Sequence, residues 1–288
     1  MGAIVRSAVV VGTGMIGTSV GLALTGRGIS VHLMDADPAT AHAAAALGAG
    51  IAGEPPIRVD VAVLAVPPAA VAPVLADLQR RGTARVHTDA ASVKVLPSRQ
   101  IEILGCDTSS HVGGHPLAGS ERSGPYAACG SLFEGRRWVL VPDSRTSAAA
   151  LDGALAVVSA CGATPVMMSA EEHDRAVGLV SHAPHLVASL LAGRLLDSDP
   201  AALGLAGQGL RDTTRIAGGR AALWADILAA NAAAVGDVLE DLATDLAATI
   251  AALRDLDTRT DRAEDALARL THILQRGVDG RERVANGS

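Results

Sequence analysis

Short apolar runs alternate with helix-periodic stretches through the first 168 residues, whereas after Ser169 only helix-periodic stretches remain. The segments 7–11, 30–34, 60–66, 85–88, 108–112, 138–141 and 164–168 are predicted as strands. Between them, 16–25, 38–47, 71–80, 93–104 and 148–161 predict helices, with Gly48 and Gly50 stopping one and Pro67-Pro68 cutting off the third strand. Alternating strands and helices predict an α/β fold, a doubly wound parallel sheet covered on both faces. A loop-rich stretch from Gly113 to Gly135 interrupts the alternation and holds His115, Pro116, Gly119, Ser120, Glu121 and Arg122. Loops of that length usually serve function.

Ser169 and Glu172 have capping-box spacing, and the pattern beyond them predicts helices over 170–196, 221–254 and 258–276. We therefore divide the chain into an N-terminal domain, 1–168, and an all-α domain, 169–288, whose last dozen polar residues are expected to fray.

Composition narrows the function. With 24 basic and 30 acidic residues among 288, the net charge is −6 and no basic run is present, so nucleic acid is not an expected partner. Cys106, Cys129 and Cys161 are odd in number and in no CxxC arrangement, which suits a reducing cytoplasm rather than a disulfide framework. Residues 8–26 are apolar enough to resemble a signal-peptide core or a short membrane span, but their glycines fall at nucleotide-loop spacing; no membrane association is expected. Lys94 is the only lysine. It reflects either a bias toward arginine or a position that needs a compact ammonium.

The loop Gly12-Thr13-Gly14-Met15-Ile16-Gly17 follows a strand, opens a helix and has Asp35 eighteen positions beyond its last glycine. In this context Gly12 permits a tight turn, Gly14 admits a pyrophosphate, and Gly17 lets helix and strand pack closely, with the helix N-terminus facing the anion. Met15, Ile16, Val66 and Pro67 are expected to line the same cofactor. Asp35, ending the second strand, would accept from ribose hydroxyls and repel a 2′-phosphate, so the expected cofactor is NAD.

Downstream, His115 just after the fifth predicted strand would lie at the ligand-binding edge of the sheet, and histidine has the pKa to accept a hydroxyl proton as hydride leaves the same carbon. His182 and His185, three apart around Pro184, share a helix face; they are read as ligands for a substrate carboxylate or as buried histidines, and no metal site is expected. Between Gly204 and Gly219, Arg211 offers a guanidinium fork to a carboxylate, with an Arg211-Asp212 or Arg215 surface pair as the alternative.

Taken together, the glycine loop, Asp89-Ala90-Ala91-Ser92-Val93-Lys94, His115-Pro116-Leu117-Ala118-Gly119-Ser120-Glu121, Ser181-His182-Ala183-Pro184-His185 and Gly209-Leu210-Arg211-Asp212-Thr213-Thr214-Arg215 resemble the prephenate/arogenate dehydrogenase family of tyrosine biosynthesis over residues 6–255. The resemblance implies a Rossmann domain followed by a helical domain through which two subunits form a homodimer. It also implies that His115 is the catalytic hydrogen-bond acceptor, that Ser92 orients it and contacts the nicotinamide, and that Arg211 binds the ring carboxylate. His185 and the backbone near Gly204 would receive the substrate side chain, with His182 and Ser120 at the pocket. The expected reaction is NAD-dependent oxidative decarboxylation of a cyclohexadienyl carboxylate. Prephenate, arogenate and an amino-substituted prephenate all fit, and His185 leans toward prephenate. A β-hydroxyacid dehydrogenase would need a lysine early in the second domain, where there is none. A non-catalytic NAD sensor would not need His115, His185 and Arg211 together.

Overall fold

The structure is a computed structural model that describes residues 5–119, 122–257 and 263–286. The chain forms two compact units, the first ending at Ala232 and the second beginning at Ala233.

The first unit is built on β1 (Ser7–Val11), α1 (Met15–Gly26), β2 (Ser30–Met34), α2 (Pro38–Ala46), β3 (Ile51–Ala52), β4 (Val59–Leu64), α3 (Pro68–Arg81), β5 (Ala84–Asp89), α4 (Val95–Ile103), β6 (His111–Pro116), β7 (Arg137–Val141), α5 (Ala148–Ala160) and β8 (Thr164–Met167). The strands form one sheet in the order β3-β2-β1-β4-β5-β6-β7-β8. Because the chain winds outward from β1 to β3 and then returns to β4, the order reverses between β1 and β4. In open α/β sheets a crevice for ligands opens outside the strand ends at that point. Adjacent residues along the central strands feed opposite cores. Val10 and Val63 pack with α1 and α5 residues such as Val20, Leu24 and Val157. Val9 and Ala62 pack with Val71, Leu75, Leu78 and Ile101 of α3 and α4.

Two features depart from the expected sheet. β3 is only two residues long, too short for a periodicity to register. The pairing of β6 with β7 is antiparallel, because a long loop rather than a crossover helix joins them. His115 also lies inside β6 rather than after a strand, since β6 begins at His111 and runs to Pro116.

The remaining elements are helical: α6 (Ala170–Val177), a π turn (Gly178–His182), α7 (Ala183–Gly193), α8 (Pro200–Gly204), α9 (Gln208–Thr214), a 3-10 turn (Arg215–Gly218), α10 (Ala221–Ala230), α11 (Ala232–Asp257) and α12 (Ala263–Asn286). Ser169 and Glu172 form the capping box expected at the start of α6. The run expected over 170–196 contains the π turn and ends at Gly193, and the one expected over 221–254 is broken at Asn231. By length and composition Ala170–Gly193 would suffice to cross a bilayer. The dozen residues expected to fray continue α12 as far as Asn286.

Candidate active site

The glycine loop is shaped by contacts that leave no room for side chains. Gly12 has φ +90°, and a Cβ there would lie 2.3 Å from the carbonyl oxygen of Ala65; one on Gly17 would lie 1.8 Å from that of Gly12. Gly14 differs, because a Cβ there would meet nothing within 4 Å. Two glycines therefore close the turn, while the third keeps open space at the N-terminus of α1. That is the cradle a pyrophosphate requires. Met15 and Ile16 begin α1. Val66 packs toward Gly12, its Cγ1 lying 3.0 Å from a Cβ built there, and Pro67 caps α3.

Asp35 is tied to this loop. Its Oδ2 accepts from the Thr13 backbone N–H at 2.6 Å and from the Thr13 hydroxyl at 2.9 Å, while Oδ1 accepts from the Asp37 N–H at 3.0 Å. Asp37, not Asp35, caps α2. A carboxylate has lone pairs for about four donors, so Oδ1 retains capacity for a ribose hydroxyl.

At the end of β5 and the start of α4 lies a buried charge cluster. The ammonium of Lys94 contacts Asp89 Oδ1 and the Gly114 carbonyl oxygen, and both side chains are 1 % exposed. Asp89 Oδ1 also accepts from the Ala91 N–H. Burial would raise the Asp89 pKa, but Lys94 and His111 outweigh it and hold it at about 2. This cluster explains the Gly113-Gly114 pair before His115: a Cβ on Gly114 would lie 2.5 Å from the Asp89 carbonyl oxygen, and one on Gly113 would lie 2.7 Å from Val141. Lys94 thus reaches the strand that carries His115, which gives the single lysine of the chain a structural reason.

His115, Ser181, His185, Arg215, Gly219 and Trp224 line a cavity of about 550 Å³. His115 Nδ1 lies 2.8 Å from Nε2 of His173, whose Nδ1 lies 2.7 Å from Asp174 Oδ1. Burial, followed by the neighbouring His173 and Lys94, pushes the pKa of His115 well below the ordinary value. The ring is therefore neutral at neutral pH, as a proton acceptor must be. His185 stacks on Trp224, and its buried Nδ1 has no hydrogen-bond partner among the described residues.

Several expected site residues fall elsewhere. Ser92 sits half-buried in the β5–α4 loop and makes no hydrogen bond to His115, whose partner is His173. His182 is absent from the cavity wall. It is buried behind that wall, where Nδ1 accepts from Asn231 Nδ2 at 3.1 Å, and burial pushes its pKa down to about 4. Arg211 is exposed and donates to the Ala206 carbonyl oxygen; Arg215, one helical turn further on, reaches the cavity instead. Gly204, exposed at the end of α8, is likewise off the wall, where Gly219 is found. Ser120 lies outside the described residues. His173 and Asp174 escaped the sequence reading altogether. Their one signal was an adjacent imidazole and carboxylate in the first turns of a capped helix, in line with Val177 and Ser181.

A dinucleotide cradle sharing a sheet edge with a cavity walled by a neutral imidazole is the layout of a nicotinamide-dependent dehydrogenase. The family model described as "Prephenate dehydrogenase, nucleotide-binding domain" matches residues 20–167, and "Prephenate dehydrogenase, dimerization domain" matches residues 169–273. The Streptomyces niveus protein named "Probable prephenate dehydrogenase NovF" is 49% identical over 280 residues, covering 97% of this chain and 77% of its own. The solved prephenate dehydrogenase of A. aeolicus, in complex with hydroxyphenyl propionate and NAD+, superposes with a TM-score of 0.83 at 28% identity, covering 98% of this chain and 99% of that one. Synechocystis arogenate dehydrogenase does so with a TM-score of 0.77 at 26% identity, covering 96% and 99%. The chain belongs to the prephenate dehydrogenase family, and it is an NAD-dependent enzyme.

Proposed function

We propose that the chain oxidatively decarboxylates prephenate to 4-hydroxyphenylpyruvate, with His115 as the hydrogen-bond acceptor and Arg215 rather than Arg211 as the carboxylate ligand. The observation that carries this reading is that His115, held neutral by burial, and Arg215 line the same cavity. His115 takes the proton of the ring hydroxyl as the carbon beneath it becomes ketone-like. The ring carboxylate then departs as carbon dioxide because the ring becomes aromatic. Bound NAD supplies the hydride acceptor, held by Gly12, Gly14, Gly17 and Asp35. Arg215 contributes by positioning, since a carboxylate that must leave cannot be bound more tightly as the reaction proceeds.

The keto acid is favoured over an amine because no carboxylate appears among the described cavity residues to pair with a substrate ammonium. His185, stacked on Trp224 in the cavity wall, is the residue assigned to the substrate side chain. We assign residues up to 168 to the dinucleotide and residues from 169 to the substrate and to a homodimer. Leu242, Leu246, Ile250 and Leu253 form an exposed apolar stripe on α11 that a second copy would cover. The working compartment of this reading is the cytoplasm.

Purified protein with NAD and either prephenate or arogenate tests the reading. Absorbance at the NADH band is expected to rise with both tyrosine precursors or with prephenate alone, and kcat/KM should be higher for prephenate. No rise with either substrate would refute the activity, and a preference for arogenate would refute the substrate assignment.

A further inference from the structure

The hydrogen-bond chain behind His115 fixes where its proton sits. Both oxygens of Asp174 act as acceptors: Oδ1 takes the Lys94 N–H and Oδ2 the Val95 N–H, each at 2.8 Å, at the start of α4. Oδ1 also faces His173 Nδ1 at 2.7 Å, so that nitrogen must donate. A neutral His173 then presents a bare Nε2, 2.8 Å from His115 Nδ1, which must donate in turn. The only lone pair left on a neutral His115 is on Nε2.

We propose that His173 and Asp174 are positioning residues that lock His115 in the tautomer with Nδ1 protonated and Nε2 bare, the form able to accept the substrate hydroxyl proton. The inference rests on His115 being the acceptor and deepens that reading. When Nε2 takes the hydroxyl proton, the Nδ1 proton of His115 can pass to His173 Nε2. His173 keeps its own Nδ1 proton on Asp174, so the positive charge settles against the Asp174 carboxylate, away from the Arg215 guanidinium. No other group is consumed, and the proton returns by the same path to the ring oxygen, which becomes a phenolate as carbon dioxide leaves.

Burial supports the assignment. His173 is 0 % and Asp174 3 % exposed, so water does not compete for either bond. Asn231 Nδ2 donates to the Asp174 backbone carbonyl oxygen at 2.8 Å, which fixes that turn of α6. A purely structural histidine at position 173 would need a partner on each nitrogen. It would not need one of them to be the catalytic ring.

Two measurements test this. The first is the imidazole nitrogen spectrum of the ¹⁵N-histidine-labelled protein without substrate, with His115 assigned by its loss in His115→Asn. The expected result is a pyrrole-like Nδ1 and a pyridine-like Nε2 at neutral pH; the reverse pattern would overturn the proposal. The second compares His173→Gln with His173→Leu in the prephenate assay. The glutamine amide can still accept from His115 Nδ1 and donate to Asp174, so it should retain kcat within about fivefold, whereas the leucine variant should lose about a hundredfold in kcat with little change in either KM. Equal losses in the two variants, or none in the leucine variant, would overturn the positioning role. If the leucine variant does not fold, the nitrogen spectrum still decides. A fully active His115→Asn would instead refute the acceptor reading, leaving the tautomer measurement to stand by itself.

Discussion

His185 lies flat against Trp224, with ring centroids 3.5 Å apart and planes 9° from parallel. The backbone of Gly219 touches the same pair, and a Cβ there would come within 2.5 Å of Trp224 Nε1 and 3.2 Å of His185 Cε1. One side of the cavity is thus a single stacked unit that any side chain at position 219 would disturb.

Trp224→Ala and Gly219→Ala are therefore expected to raise the KM for prephenate by about tenfold, equivalent to the about 1.4 kcal/mol within reach of one lost aromatic stack. The KM for NAD should be unchanged. Steady-state kinetics with each substrate varied in turn would check this, and a rise confined to NAD would place the pair outside the substrate pocket.

Arg215 and Arg211 separate cleanly by position. Arg215→Ala is expected to raise the prephenate KM by more than about tenfold, as befits loss of a charge-assisted carboxylate contact. Arg211→Ala removes an exposed bond to a backbone carbonyl and should change KM by less than about twofold. The opposite ranking would return the carboxylate role to Arg211.

Acid should inactivate the enzyme late. His115 accepts a proton only while neutral, and burial together with His173 holds its pKa well below the ordinary 6.5. The kcat/KM profile is accordingly expected to stay flat through pH 6.5 and to fall only well below it. Stability changes over a nearby range. His87 and His182 are held at about 4, chiefly by burial, so the unfolded chain binds their protons first as pH drops below 6.5. Folded stability therefore declines from about 6.5 toward about 4. Thermal melts recorded alongside the rates separate the two effects.

Removing Lys94 should unfold more than it inactivates. Lys94→Met would leave the Asp89 carboxylate buried without its cation, at an expected cost of about 3–5 kcal/mol in urea denaturation. Adding Asp89→Leu should recover much of that loss, because an apolar pair no longer strands a charge. In the parent, Asp89 is held at about 2, below its ordinary 3.8. Its contribution is present above 3.8 and is lost as pH falls toward about 2.

Much of the sheet was legible because β1, β2 and β4 are mostly apolar runs bounded by glycine, proline or aspartate, and burial on both faces produces that pattern. The glycine loop was legible for a local reason: each glycine answers to its immediate neighbours. Arg215 rather than Arg211 lines the cavity, and spacing alone does not determine how a short helix is rotated. His173 and Asp174 were illegible for a related reason. Their partners, His115 and Lys94, lie 58 and 80 residues away, and nothing near them in the chain advertises the bond. Ser92 was assigned from resemblance, whereas the contact of His115 Nδ1 with His173 had no such guide.

The π turn at Gly178–His182 changes the angular phase of the helix that carries two of the site's histidines. In an uninterrupted α-helix, the twelve residues from His173 to His185 would turn the side-chain direction by about 120°, pointing the two rings to different sides. One residue absorbed by the wider turn removes about 100° of that rotation and leaves the rings about 20° apart. His173 can then reach His115 while His185 lines the same cavity. A single-residue deletion within the turn would restore a regular α-helix of eleven steps and keep both rings on the site, whereas regularising the turn at its full length would swing one histidine out of it.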